Sequence, residues 1–308
     1  MFSIFKHSNN PIVPAWASFF KENEYSEFLN AIDGYFVKQN MKYTIGDGII
    51  EVEANDSGFD KLGLANLAQN CKLNGVKRYK NLVSEHFDCM ARANKYQSEF
   101  ELMVNDFDKI KEFIGVRLYP KEYVSTLGRE LTIGKDFAGD IYAMLVFDLP
   151  DSVINVQPKQ ADKWGKSKSA LFELGLQNIK NKYPLDISQQ QFDDFALWYV
   201  HGNHFFTPNI VFDLANRKEL IGSKGALIGI PHRHSVLIFP IENINVAKAI
   251  NRLIPAIYGM NQEGPGSVSN NLFWYKDGEF ENLPYKIEAD KIQFYPTDNF
   301  AELLSGLN

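Results

Sequence analysis

The sequence of 308 residues contains few cysteines, no long apolar run and no block of basic residues. Its two cysteines, Cys71 and Cys89, form no C-x-x-C motif and have no further cysteine beside them, which excludes a cysteine-based zinc site and predicts reduced thiols. A membrane span needs about 18 to 20 apolar residues, and no segment approaches that length. The apolar run at the N-terminus is too short for a secretory signal. We therefore expect a cytoplasmic protein without a membrane segment.

The net charge of −6 argues against two large classes of partner. Nucleic acids and anionic membranes attract proteins through clustered Lys and Arg, and here these residues are scattered along the chain. Hydrophobic residues make up 45% of the sequence and charged residues 23%, which is typical of a packed globular protein rather than a disordered one. We expect a globular protein whose partner is neither nucleic acid nor membrane.

Motifs of nucleotide and ester hydrolysis are also missing. The segment WGKSKS at 164–169 resembles the end of a phosphate-binding loop, but the position of its first glycine is occupied by Gln160. The segment GPGS at 264–267 has no predicted helix after it, and the sequence contains no G-x-S-x-G elbow. A nucleotide-cleaving or serine-hydrolase mechanism therefore has no support in the sequence.

Helical and strand-like patterns alternate in groups along the chain. Where a helix pattern competes with a strand pattern, at residues 196–201, we favour the strand. Helices are predicted at 24–40, within 60–112, after a cap at Ser167 or Ser169, from Thr207 and Pro208 to near Gly222, and at 245–260 with an interruption at Pro255. Hairpins are predicted at 42–54, 141–156 and 225–241, a single strand at 114–120, and several short strands within 267–296. This order predicts an α+β fold with a largely antiparallel sheet, hairpins and packed helices.

The predicted elements suggest two halves. Residues 1–40 form an N-terminal extension with an amphipathic helix, residues 41–130 a first α+β half, and residues 131–308 a second, with a soft boundary that also permits a single domain. The pentapeptides GLANL at 63–67 and GLQNI at 175–179 match each other inside predicted helices. Their recurrence, with a helix, a hairpin and a helix in each half, raises the hypothesis of an old internal duplication.

Five segments occur in an order that is similar to a known family. They are GLANLAQNC, FIGVRLYP, LVFDLPDSV, WGKSKSALFELGLQNI and ALIGIPHRHSVLIFP. Through them the chain, over roughly residues 60 to 290, resembles the YtpQ-like family of uncharacterised bacterial cytosolic proteins. This chain differs from the family in residues 1–40 and in carrying a histidine on each side of Arg233. The resemblance implies the fold and a cytosolic location, and it implies no reaction.

Four of the six histidines lie within 34 residues of each other, in the pairs His201/His204 and His232/His234. On a strand, His232 and His234 would share one face, as a metal-binding pair requires. Asp213 is the candidate carboxylate ligand for such a divalent-metal site. The alternative is that both pairs are polar tips of turns, and we favour it because no Asp or Glu stands beside either pair. A metal is therefore a possible but not a favoured cofactor.

Arg233 is the strongest single candidate for ligand binding. A guanidinium at a hairpin tip can bind a carboxylate or phosphate through two parallel hydrogen bonds. The alternative is an ion pair with a nearby Asp or Glu on the surface.

Two weaker candidates complete the set. Cys89 follows His86 by three residues and could form a Cys/His pair on one helix face, although a small buried side chain is the simpler interpretation. The aromatic residues Trp198, Tyr199, Phe205 and Phe206 could stack on a ligand ring, but without a Lys/Arg cluster beside them we expect them in the core.

The leading functional hypothesis is a cytoplasmic binding or interaction module. It would recognise a protein or a small anionic ligand through the hairpin tip around Arg233, with His232, His234, His201 and His204 nearby. The alternative is a hydrolase or another enzyme that uses the histidine cluster, with a metal or as general acid and base. A third hypothesis, an immunity or inhibitor protein with an acidic surface, is permitted by the net charge but not favoured by it.

Overall fold

The computed structural model describes residues 12–191, 195–288 and 291–307. Helices and antiparallel sheets make up the described residues, so the predicted α+β class is confirmed. None of the described helices is both long and apolar enough to cross a bilayer. The first eleven residues of the predicted N-terminal extension lie outside the described part of the chain.

The chain divides into two compact units. The first consists of residues up to Met103 together with Leu149–Ser152. Its elements are α1 (Glu22–Lys38), β1 (Tyr43–Gly46), β2 (Ile49–Val52), β3 (Lys61–Gly63), α2 (Ala65–Asn74) and α3 (Tyr79–Glu101). The buried face of α1 carries aromatic rings, among them Phe28 and Phe36, that pack into one core with α3 and the three-stranded sheet. The amphipathic helix predicted at 24–40 is therefore part of this core.

The second unit contains the remaining residues, Val104–Asp148 and those from Val153 onward. Its first elements are α4 (Phe107–Ile110), β4 (Ile114–Pro120), α5 (Lys121–Leu127), β5 (Gly134–Ala138), β6 (Ile141–Asp148), β7 (Val153–Asn155), α6 (Pro158–Ala161) and α7 (Lys168–Lys182). There follow β8 (Asp186–Gln191), β9 (Ala196–His201), β10 (Ala226–His232), β11 (Ser235–Pro240), α8 (Val246–Glu263), β12 (Leu272–Lys276), β13 (Glu279–Leu283), β14 (Tyr285–Glu288), β15 (Lys291–Phe294) and α9 (Asp298–Ser305).

Two antiparallel sheets organise the second unit. In one, β6 lies between β4 and β5 and also pairs with β7, and α7 packs on β4. In the other, the strand order is β13-β12-β10-β11-β9-β8, and α8 packs on β10. The strand favoured at residues 196–201 is confirmed as β9. Because β4 and β6 pair in one sheet, the predicted soft boundary near residue 130 falls between paired strands of a single sheet.

Local sequence signals explain several of these elements. Asp47 and Gly48, with φ of 46° and 75°, form the turn between β1 and β2, and Asp277 and Gly278, with φ of 51° and 91°, form the turn between β12 and β13. Asp and Gly tolerate the left-handed conformation that a two-residue hairpin turn requires. Of the two predicted caps, Ser167 is the one that the structure uses, since its side chain accepts a hydrogen bond from the backbone N–H of Ala170.

Three local predictions are wrong. The helix predicted from Thr207 to Gly222 is instead a series of short 3-10 turns, because the backbone leaves the helical region at Asp213 and again at Arg217. Helix α8 continues through Pro255, since its buried apolar face on β10 offsets the lost hydrogen bond. The first pentapeptide is only partly helical, with Gly63 ending β3 and residues 65–67 in α2, whereas the second lies wholly within α7.

Candidate functional site

The hairpin that was predicted at 225–241 brings the central candidate residues together. Strands β10 and β11 pair antiparallel, with His232 opposite Ser235, and Arg233 and His234 form the two-residue connection. The flanking strands are almost entirely buried, whereas His232, Arg233 and His234 are half-buried. The hairpin tip is therefore packed against the protein and is not a fully solvated turn.

Each histidine of the tip uses both ring nitrogens within the fold. The Nδ1 atom of His232 accepts a hydrogen bond from the backbone N–H of His234, and its Nε2 atom lies 3.1 Å from the buried Ser235 hydroxyl. In His234 the Nε2 atom accepts a hydrogen bond from Nε of Arg233, and Nδ1 lies 3.2 Å from the carbonyl of Gly202. Each ring thus accepts at one nitrogen and donates at the other, which is the pattern of a neutral imidazole.

The pKa shifts of the two rings agree with this pattern. Burial, followed by the charge of Arg233, lowers the pKa of His232 to about 4. The same two causes come first at His234 and lower its pKa to about 4, against the hydrogen bond to Gly202, which raises it. Both rings are therefore uncharged near neutral pH, and neither has its own pKa near 7, where general acid–base catalysis is most effective.

The other two histidines occupy different surroundings. His201, at the end of β9, pairs with Asp186 on β8 at 3.0 Å. His204 stacks on Tyr183 at 4.6 Å, accepts a hydrogen bond from the backbone N–H of Phe206 and faces the carbonyl of Pro184. Burial lowers the pKa of His204. His201 and His234 line one shallow depression of about 390 Å³ with Gly202, while His204 turns toward Tyr183.

A metal site at these histidines would need free lone pairs and a further ligand. The accepting nitrogens of His232 and His234 are already occupied, as shown above. Asp213, the candidate carboxylate, is bound instead by Lys180, Asn216 and Arg217. Burial by itself raises the pKa of Asp213, but these three bonds outweigh burial and hold its pKa below the ordinary value. Across residues 12–191, 195–288 and 291–307, no group of three or more His, Cys, Asp or Glu is placed to hold a metal ion.

Arg233 is held in a defined position by its neighbours. Its backbone N–H donates to the carbonyl of Gly266, and its Nε atom donates to His234. Gly266, with φ of 72°, lies so close that an added Cβ would be 2.5 Å from Cδ of Arg233. Gly264 is similarly close to the ring of His232. The glycines of the GPGS segment thus let a loop pack directly against the hairpin tip.

A second arginine reaches the same place from the other sheet. The guanidinium carbon of Arg233 lies 4.1 Å from the centre of the Phe205 ring, and that of Arg117 on β4 lies 5.2 Å from the same ring. Arg117 also lies over Tyr119, at 4.6 Å. We call Arg117, Phe205 and Arg233 the arginine cluster. Neither arginine forms an ion pair with any carboxylate in the described parts of the chain, so the alternative of a surface ion pair at Arg233 is not observed there.

The cluster has an excess of positive charge and of hydrogen-bond donors. Burial, followed by the nearby charge of Arg117, lowers the pKa of Arg233 to about 10. Arg233 is therefore still charged at neutral pH. The Nε atom of Arg117 is buried and has no hydrogen-bond partner among the described residues. Two half-buried cations that share one ring and lack an acid form a place where an anion would be stabilised.

The weaker candidates have other surroundings. The thiol of Cys89 donates to the backbone and side chain of Asp151, which is itself held by Arg92. Burial first, and then the hydrogen bond to Asp151, raises the pKa of Cys89, which is the opposite of what a nucleophilic thiolate requires. Phe206 lies in the core as expected. Phe205 is partly buried and packs against the same core. Arg117 and Arg233 lie over its ring, so distant segments supply the basic partners that its neighbours in the sequence lack.

Arg117, Gly264 and Gly266 were not recognised as candidate site residues in the sequence. A signal for Arg117 was present, because it is the one charged residue in the otherwise apolar strand segment IGVRLYP. A charged residue between buried positions of a strand needs a partner or a function. No comparable signal marked the two glycines as neighbours of Arg233.

Comparison of the chain with protein-family models, with curated proteins and with solved structures finds no match. The site is therefore interpreted from its own geometry.

Proposed function

We propose that the protein is a binding module that recognises an anionic group at the arginine cluster. The observation that carries this proposal is the pair of half-buried guanidiniums of Arg117 and Arg233 against Phe205, with no carboxylate partner in the described residues. Removing a charge from water is costly unless it is paired. An anion bound beside both guanidiniums would supply that pairing and would offset the burial and the repulsion by Arg117 that lower the pKa of Arg233.

The histidines act as positioning residues in this proposal. His234 accepts a hydrogen bond from Nε of Arg233, and His232 accepts one from the backbone N–H of His234. These two bonds hold the side chain of Arg233 in place at the hairpin tip. With Nε engaged, the two terminal amino groups of Arg233 have no hydrogen-bond acceptor in the described structure. Terminal amino groups held in one plane are suited to a carboxylate or phosphate. The loop at Gly266 fixes the aliphatic part of the same side chain.

Calorimetric titration of the full-length protein with acetate, sulfate and the neutral compound acetamide at low ionic strength tests this proposal. We expect at least one anion to bind and acetamide not to bind, and we expect Arg233→Gln and Arg117→Gln each to weaken anion binding about tenfold or more. Arg129→Gln is the matched control, because Arg129 also lies over an aromatic ring, Tyr142, but is paired with Asp136.

Equal affinity of wild type and Arg233→Gln for both anions would reject the proposal. A drop of the same size in Arg129→Gln would mean that net charge, rather than the arginine cluster, governs binding. Far-ultraviolet circular dichroism of each variant shows whether the fold is retained.

We further propose, on the basis of the sequence, a cytoplasmic location and membership of a family. A cytoplasmic location is supported by the reduced thiols expected of Cys71 and Cys89, which are free cysteines in the structure. Membership of the YtpQ-like family is supported by the five ordered segments described above.

A further inference from the structure

We infer that the anion bound at the arginine cluster is a compact, doubly charged group of the phosphate monoester type rather than a single carboxylate. This inference rests on the proposed function and names the class of ligand for the same site. The number of positive charges, the number of unused donors and the charge state of the surrounding groups all favour such a dianion.

The number of charges favours a dianion. Arg117 and Arg233 contribute two positive charges, and the aromatic rings between and beside them contribute none. The nearest titratable partners at the tip, His232 and His234, are neutral, so they neither add to nor compensate this charge near pH 7. A singly charged carboxylate would leave one cation unpaired, whereas a dianion pairs both.

The number of donors favours a group with several equivalent acceptors. A guanidinium has five N–H donors. Arg233 uses its Nε for His234, and Arg117 interacts with the side chain of Tyr119, so most of the ten donors are left for a ligand. A carboxylate has two acceptor oxygens, while a phosphate monoester presents three terminal oxygens to donors from two directions. The approach of Arg117 from β4 and of Arg233 from the β10–β11 hairpin matches the second arrangement.

The test compares two probes of nearly the same shape and different charge. Methyl phosphate is largely a dianion above about pH 7 because its second pKa lies near 6, while methyl sulfate is a monoanion at all working pH values. Calorimetry at pH 7.5 should show methyl phosphate binding at least fivefold more tightly than methyl sulfate or acetate. Arg117→Gln should reduce this preference to less than about twofold, because one cation then remains.

Lowering the pH to 5.5 provides a second readout. Methyl phosphate then becomes largely a monoanion, and its affinity should fall about threefold or more, while that of sulfate should not fall. The groups that face the tip are Arg117, Arg233, Tyr119, His232 and His234, together with the His201–Asp186 pair beside the shared depression. Any charge that the histidines gain on acidification strengthens binding of both anions, so the sulfate titration measures that contribution separately.

Three outcomes are distinguishable. The expected preference, with loss in Arg117→Gln, supports the dianion. Equal binding of methyl sulfate or acetate, still dependent on Arg233, overturns the dianion and leaves the proposed anion-binding function intact. No binding of any anion that depends on Arg233 overturns both.

Discussion

Two charged clusters in the second unit differ in whether their positive charges are paired with a carboxylate. Around Asp213, the side chains of Lys180 and Arg217 converge on one carboxylate, at 2.9 Å and 3.2 Å. In the arginine cluster, two guanidiniums converge on the uncharged ring of Phe205. In the first cluster the cations are compensated by the carboxylate, and the pair between Lys180 and Asp213 joins the 3-10 segment to α7. The second has a surplus of cations, and such a surplus identifies a place for a ligand better than the presence of polar residues does.

The largest expected effect concerns the neutral histidines that brace Arg233. Their folded pKa of about 4 lies below the ordinary value of 6.5, so between these pH values the unfolded chain binds more protons. Burying the two histidines in the uncharged form therefore contributes to the free energy of unfolding above about pH 6.5, and this contribution is lost as the pH falls toward 4. We expect a loss on the order of 2 kcal/mol per histidine over this range.

Urea unfolding from pH 7 to pH 4.5 measures this effect. His232→Gln and His234→Gln should each flatten the decline in the free energy of unfolding, while His201→Gln, whose ring pairs with Asp186 at the surface, is the control. Parallel pH curves for wild type and the two tip variants would show that the histidines are not held neutral.

The second largest effect is expected when the carboxylate of the Asp213 cluster is removed, so that its cations are unpaired like those of the arginine cluster. In Asp213→Ala, Lys180 and Arg217 lose their shared acid, and we expect the free energy of unfolding to fall by about 1 to 2 kcal/mol. Asp106→Ala removes an exposed ion pair with Lys109 and should change stability by less than about 0.5 kcal/mol. Equal effects in chemical denaturation would mean that the Asp213 cluster contributes no more than a surface pair.

A third prediction disturbs the arginine cluster without changing its charge. In Gly266→Ala, the left-handed backbone and the approach of Cβ to Cδ of Arg233 should cost about 1 kcal/mol and displace the side chain. Affinity for methyl phosphate should fall as well. Gly259→Ala in α8, where an added Cβ meets nothing within 4 Å, is the control and should be neutral or stabilising in thermal unfolding. Unchanged affinity in Gly266→Ala would show that the loop does not position Arg233.

The smallest expected effect is that of replacing one arginine by methionine, which should change the free energy of unfolding in opposite directions in the two clusters. Arg233→Met removes an unpaired, half-buried charge, and we expect no change or a gain of up to about 1 kcal/mol in the free energy of unfolding without ligand. Arg217→Met removes a paired charge and should lower stability. If Arg233→Met destabilises the protein as much as Arg217→Met, then Arg233 is compensated in the free protein and the comparison fails.

Much of the architecture could be predicted from the sequence. The strands at 114–120 and 196–201 and the hairpin around Arg233 follow from apolar runs bounded by turn residues, and these signals are local. The region after Thr207 could not be predicted, because an N-cap pattern starts a helix only if tertiary packing allows it to continue.

The candidate site divides in the same way. From the sequence alone, Arg233 was recognised at a hairpin tip, and the scarcity of cysteine, of basic blocks and of catalytic motifs argued against several classes of function. Only the tertiary structure decided that the ring nitrogens of His232 and His234 form hydrogen bonds within the hairpin tip. It also decided that Arg117, more than a hundred residues away in sequence, lies over the same Phe205 ring as Arg233. The reason is physical: turn and strand propensities depend on neighbours in the chain, whereas pairing of charges depends on neighbours in space, which a single sequence does not specify.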